Sequence, residues 1–239
     1  QRCLGERGDV YACGDPAGLD EALGALKRAK VSVLALCGGD GTFGYVMSHV
    51  ERVFGADSLP RIALLRGGTM NTSANGLGVP KGSPIQLLKR LITDLESPHG
   101  LRILRRPLIR GGERLGCLFG TGLIARYLEE YYRRGDQKPT PWTAFTTLSL
   151  AAGSALVQGP LIKRLAQPDR LELTLNGRTL PPRDYVTVAA GTVPEFGLGF
   201  APFPTCLEDD ESFEMLGANV NPAAFLLDLM RMRTGRSLN

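Results

Sequence analysis

The chain lacks most of the residues that assign a function class at a glance. It has two histidines, His49 and His99, whose separation matches no paired-ligand or acid–base motif, so neither is expected to have a chemical role. Its five cysteines (Cys3, Cys13, Cys37, Cys117, Cys206) are odd in number and form no C-x-x-C pair. That argues against a disulfide framework or a zinc site and fits a reducing, cytoplasmic setting. Aromatic residues are 7% of the chain, and the basic clusters Arg105-Arg106, Arg133-Arg134 and Arg231, Arg233, Arg236 lack the interleaved aromatics of a base-stacking surface. No nucleic acid partner is expected. No run approaches the roughly 18 uninterrupted apolar residues a membrane span needs. Charge is nearly balanced, 28 basic against 24 acidic residues, so the net +4 favours nucleotide phosphates or an acidic membrane surface only mildly. There is no solenoid repeat, low-complexity tract or signal-peptide pattern, and a chain opening at Gln1 reads as a fragment.

What is present is enough chain, 239 residues with 43% hydrophobic, for one large or two modest domains. Asp15-Pro16 has the form of an N-cap and first-turn proline, and Leu19, Ala22, Leu23 and Leu26 follow at helical spacing. Residues 31–37 are an apolar run broken only by Ser32, as in a strand buried on both faces of a parallel sheet. The run ends in Gly38-Gly39-Asp40-Gly41-Thr42, after which Tyr45, Val46, His49, Val50 and Val53 mark a second helix. The order then repeats: strand 61–65, glycine loop Gly67-Gly68-Thr69-Met70-Asn71, short helix from Thr72. A further helix spans residues 85–95, and Ser97-Pro98-His99-Gly100 ends it. We place a domain boundary there, with residues 1–98 an α/β nucleotide-binding domain.

Residues 99–239 change texture. Short alternating or apolar runs at 101–109, 115–119, 171–175 and 185–190, with the hairpin signal Asn176-Gly177, predict mainly antiparallel β structure. Helical stretches are expected near 125–134 and 143–165, and again over 222–231. Tyr127, Tyr131, Tyr132 and Trp142 flank a basic stretch that either packs a helix or touches a membrane interface.

A glycine-rich turn between a buried strand and a helix lets backbone N–H groups approach phosphate oxygens without Cβ obstruction, and the helix N-terminus adds a favourable dipole. Within the first loop, Asp40 supplies a carboxylate suited to orienting Mg²⁺ or accepting a proton from an attacking hydroxyl, and Thr42 a hydroxyl for a phosphate oxygen. The bland alternative is a plain βα turn, for which Gly and Asp are common. Two such loops 29 positions apart, Gly39 to Gly68, favour the phosphate reading, because adjacent parallel strands put both at one sheet edge.

The segment Leu36-Cys37-Gly38-Gly39-Asp40-Gly41-Thr42 resembles the GGDGT signature of diacylglycerol, sphingosine and ceramide kinases, shared with NAD kinases. Gly68-Thr69-Met70-Asn71, with its Ala-Asn-Gly-Leu-Gly-Val-Pro tail, is similar to the G-T-x-N-D element of the bacterial diacylglycerol kinase branch and tips the choice to that family. More weakly, Leu118-Phe119-Gly120-Thr121-Gly122 stands where the family has G-F-G-F-D-A, and 190–202 resembles its second glycine-rich stretch. The resemblance implies an N-terminal three-layer α/β domain followed by a mainly antiparallel β-sandwich. It implies ATP and Mg²⁺ as cofactors, with Gly38, Gly39, Asp40, Gly41, Thr42, Gly68, Thr69 and Asn71 at the nucleotide and Asp40 as the catalytic carboxylate. Through the acidic turn Asp209-Asp210 it further implies a structural Mg²⁺ held by Asp210 and the carbonyls of Leu207 and Ser212. The implied acceptor is a lipid hydroxyl at the membrane surface, of a diacylglycerol or similar lipid, with the protein cytoplasmic and peripheral to the membrane. A homodimer is compatible with the sequence.

Three departures keep alternatives open. Thr72 and Ile124 stand where many relatives have Asp, and the family's opening N-P-x-x-G strand and closing D-G-E strands are not in the sequence, so truncation at both ends is expected. A soluble-acceptor kinase resembling NAD kinases, or a nucleotide- or lipid-binding module without turnover, fits the same motifs.

Overall fold

The computed structural model describes residues 4–134, 143, 146, 147, 149, 150, 154, 159–197 and 199–219. The chain forms two compact units, Gln1–Cys117 and Leu118–Asn239.

In the first unit, helix α1 (Pro16–Arg28) starts as its sequence predicts: the Asp15 carboxylate accepts the Gly18 N–H at 2.8 Å, and Pro16 opens the first turn. It buries Leu19, Ala22 and Leu23. Strands β1 (Val33–Leu36) and β2 (Arg61–Leu64) pair in parallel from Val33↔Arg61 to Leu36↔Leu64. Their C-terminal ends are therefore level, and the segments that follow them emerge side by side. Helix α2 (Asp40–Phe54) follows β1, α3 (Thr72–Gly76) follows β2, and α4 (Pro84–Glu96) begins with a Ser83/Gln86 capping box. Asp20 of α1 joins α2 through Arg52 (2.5 Å) and lies 2.6 Å from His49 Nδ1. The Arg52 guanidinium, and then His49, hold the Asp20 carboxyl below its ordinary range. His49 is buried, between Asp20 and Arg52.

Strands β3 (Ile109–Gly111) and β4 (Arg114–Gly116) form an antiparallel hairpin against α2. Gly44 makes this approach feasible, since a Cβ there would lie 2.7 Å from the Leu115 carbonyl oxygen, and the Leu115 N–H donates to Ser48 Oγ at 3.0 Å. Because the hairpin packs on α2, the first unit runs to Cys117, whereas the change of texture in the sequence falls at residues 98–99. The strand expected over 101–109 pairs only from Ile109. Residues 101–108 form no regular element, and Pro107, which has no N–H, cannot donate to a ladder.

The second unit contains β5 (Leu118–Gly120), α5 (Leu123–Arg134), α6 (Pro160–Leu165), β6 (Asp169–Leu175), β7 (Arg178–Tyr185), β8 (Thr187–Gly191) and β9 (Glu214–Ala218). Its strands are antiparallel as expected: one sheet in the order β5-β8-β9, and a β6-β7 hairpin. The hairpin turns at Asn176 (φ 51°) and Gly177 (φ 78°), the two positive values a tight two-residue turn demands. β8 is central and every residue of it is buried. Of the helix expected over 143–165, the described residues from 143 to 154 are helical and α6 covers its end. The helical pattern at 222–231 lies outside the described residues. β9 was not expected, because Glu-Met-Leu-Gly-Ala has neither strict alternation nor β-branched residues. The whole is a mixed α/β fold with antiparallel sheets in its second unit. Among the described residues no helix is long and apolar enough to cross a membrane.

Candidate phosphate-binding site

The first unit brings the two glycine loops into backbone contact. A Cβ on Gly39 would meet the Gly68 Cα at 3.0 Å, one on Gly67 would lie 2.8 Å from the Gly38 amide nitrogen, and one on Gly68 would overlap the Gly39 Cα. These glycines are required because one loop lies on the other. Gly38 has a separate reason, since a Cβ there would stand 2.5 Å from the Thr42 side chain. Gly41 has open space around it.

Asp40 joins the loops. Its Oδ2 accepts the Thr72 N–H at 2.9 Å and its Oδ1 the Ser73 N–H at 2.7 Å, so the first residue of α2 caps the first turn of α3. Thr72 and Ser73 are buried, and Asp40 supplies acceptors that their amides would otherwise lack. The carboxylate is turned to α3 and not to its own helix: α2, whose N-cap is Gly39, has no side-chain cap. The N-terminus of this 15-residue helix thus lies at the loop junction, with Gly41, Thr42, Gly67 and Thr69 exposed there.

Asn71 sets the second loop. It is left-handed (φ 51°), a conformation asparagine tolerates, and its side chain accepts the Gly68 N–H at 3.0 Å and donates to the Gly68 carbonyl at 2.6 Å. Asn71 is therefore a loop-closing residue, and Thr69 is held at the exposed crest.

Sequence reasoning missed Arg66. It too is left-handed (φ 52°), and its guanidinium donates to the Val79 carbonyl at 3.0 Å and to Asn75 Oδ1, spanning the loop and α3 from below. A long cation between a buried strand and a glycine pair was the available signal.

In the second unit the glycines answer to packing. Gly122 (φ 58°) lies on the Val186 carbonyl, and Gly191 lies against the Phe203 ring. Ile124, which the sequence resemblance sets against an acid, packs on the Ala189, Phe203 and Cys206 cluster with Leu118, Phe196 and Leu216. An acid there would be placed in an apolar cluster. The acidic turn at 207–212 is exposed throughout, and Asp209 caps the Glu211 amide at 2.8 Å. Among the described residues no group of three carboxylate, imidazole or thiolate side chains converges on one point. Asp210, Leu207 and Ser212 all lie on this exposed turn.

Two glycine loops at the carboxyl edge of paired parallel strands occupy the place where open α/β sheets bind their ligands. Residues 4–101 match the family described as diacylglycerol kinase catalytic domain. No curated protein matches the chain. Among solved structures, a diacylglycerol kinase from Bacillus anthracis str. Sterne is similar at 17% identity and TM-score 0.62, over 95% of this chain and 66% of that one. A candidate diacylglycerol kinase from the same organism is similar at 18% identity and TM-score 0.67, over 95% and 69%. The chain thus spans about two thirds of the length of these structures, and at such identity the likeness is one of fold.

Proposed function

We propose that the chain is the nucleotide-binding part, with much of the following β unit, of an ATP-dependent lipid kinase that transfers the γ-phosphate to a lipid hydroxyl, of a diacylglycerol or similar lipid. The observation that carries this reading is the loop junction: two glycine loops in contact, clamped by Asp40, beside an uncapped helix N-terminus. The amides of the first turn of α2 and the hydroxyls of Thr42 and Thr69 suit phosphate oxygens. Mg²⁺, when bound with the nucleotide, supplies neutralisation of the charge on the transferred group. One carboxylate with phosphates and water is an ordinary donor set for that ion, and Asp40 is the one that fits it. Asp40 has two roles in this reading: it holds the loops in register, and its remaining lone pairs orient a metal-bound water or the acceptor hydroxyl. A lipid acceptor, with no helix among the described residues long and apolar enough to cross a membrane, fits peripheral, reversible membrane contact at a cytoplasmic face.

A second reading, nucleotide binding without turnover, is favoured by the apolar packing of Ile124. The two separate in one experiment: labelled ATP with a panel of diacylglycerol, sphingoid base, polyprenol and NAD, on this chain and on the protein extended at both ends, alongside equilibrium binding of ATP. Acceptor-dependent product with any lipid supports the kinase. ATP binding by the extended protein with no product leaves the binding module, and product with NAD alone overturns the lipid assignment.

A further inference from the structure

The first unit contains a cavity of about 910 Å³ that neither glycine loop lines. That volume is within the roughly 300–1,000 Å³ of small-molecule sites, which are mostly apolar with a few placed polar groups. The inner wall is apolar and buried, including Phe43, Met47, Leu65, Leu87 and Leu115. One border is residues 101–108, an extended stretch paired to no strand, where Ile103 (56% exposed) and Leu104 (44%) present large apolar side chains at the cavity. Apolar side chains kept in water beside an apolar cavity mark a binding surface.

The charge around it is one-sided. Six arginines line the cavity (Arg61, Arg90, Arg102, Arg105, Arg106, Arg110) against three carboxylates (Glu51, Asp57, Asp94). Glu51 is taken by Arg110 at 2.5 Å, and Asp94 lies 3.7 Å from Arg90. Arg61, Arg102 and Arg105 are exposed and, among the described residues, have no ion pair or side-chain hydrogen bond. Guanidinium groups match phosphate and carboxylate oxygens in a bidentate fork.

We propose that this cavity is a binding site for a single-chain amphiphile with an anionic head group, its alkyl chain among the apolar residues and its head on Arg102 and Arg105. The inference is independent of kinase activity, because the site shares no residue with the loop junction and the test reads binding alone. Isothermal titration of the whole chain with dodecyl phosphate and with dodecanoate, both below their micellar concentrations, should show saturable binding of at least one, and the tighter of the two names the head-group chemistry. Dodecanol should bind about tenfold or more weakly, and inorganic phosphate at the same concentration should not bind. The double variant Arg102→Ala/Arg105→Ala, both exposed, should reduce affinity for the anionic probe to that of dodecanol, and Ile103→Asp should weaken anionic and neutral probes together. Thermal melts of both variants that match the parent remove misfolding as a cause. No saturable binding, inorganic phosphate binding as tightly as dodecyl phosphate, or unchanged affinity in the double arginine variant would overturn the site.

Discussion

Each unit has a glycine-rich stretch next to a helix start, and the two stretches use glycine for different ends. At Gly38-Gly39 and Gly67-Gly68, backbone lies on backbone, the surroundings are polar and partly exposed, and a carboxylate ties the loops together. At Gly120, Gly122 and Gly191 the neighbours are Ile124, the Val186 carbonyl and Phe203, and the side chains gathered there are apolar. A glycine reports that something approaches closely. Whether the result is a binding edge or a packed core depends on the polar groups brought with it, and only the first stretch brings them.

The comparison is broken most directly at the glycines. Gly68→Ala puts a Cβ inside the Gly39 Cα and neither backbone can yield locally, so it should destabilise the first unit by about 3 kcal/mol, at the upper end of overpacking effects. Gly41→Ala, in open space inside the first turn of α2, should be neutral or slightly stabilising. Urea melts of the two variants check this, and equal effects would mean that the loops do not touch.

Placing an acid in the apolar cluster of the second unit sharpens the contrast. Ile124→Asp should lower stability by about 2 to 3 kcal/mol without raising any kinase rate, because the carboxylate would be set against Phe203, Ala189 and Cys206. A variant as stable as the parent would show that the site is polar after all.

A buried acid of the second unit, Glu130, is structural. Its partners are Arg133 at 2.6 Å, Arg134 at 2.6 Å and Arg164 at 2.9 Å. The Arg133 hydrogen bond, with Arg134 and against the opposing effect of burial, pulls its carboxyl from 4.5 down to about 2. A depressed folded value means stability that is complete above pH 4.5 and lost as pH falls toward 2. With two of the arginines mostly exposed, the loss should be about 2 kcal/mol, read as a fall in urea midpoint over that window that Glu130→Gln removes.

Much of this was legible beforehand. Buried runs ending in glycine placed β1, β2 and both loops, because a strand covered on two faces leaves a continuous apolar signature, and Asn176-Gly177 placed a hairpin because few residues accept two positive φ values in succession. What stayed hidden depends on contacts far apart in sequence. Nothing local announces that the Asp40 carboxylate meets amides 32 and 33 residues on, that Arg66 braces Val79, or that residues 101–108 stay unpaired beside a cavity. Those facts exist only once the strands are in register.

A modest effect on stability, and the most informative for function, belongs to Asp40. Its two oxygens accept two amides, so Asp40→Asn leaves one amide opposed by an NH₂ group, and Asp40→Ala leaves both without an acceptor. Because Thr72 and Ser73 are buried, the Asn variant should lose about 1 to 2 kcal/mol and the Ala variant more. ATP affinity should fall in the same order, since the loops that would hold the phosphates lose their register. A residue serving only the metal or the acceptor hydroxyl behaves differently: its Asn variant melts with the parent and binds ATP as well, and only turnover drops. Measuring urea midpoint, ATP affinity and lipid phosphorylation on the same two variants of the extended protein separates the roles. Parallel losses in all three assign Asp40 to holding the loops. An unchanged midpoint with turnover lowered by roughly 10² or more assigns it to the chemistry, and the amide contacts to α3 would then be a property of the nucleotide-free state alone.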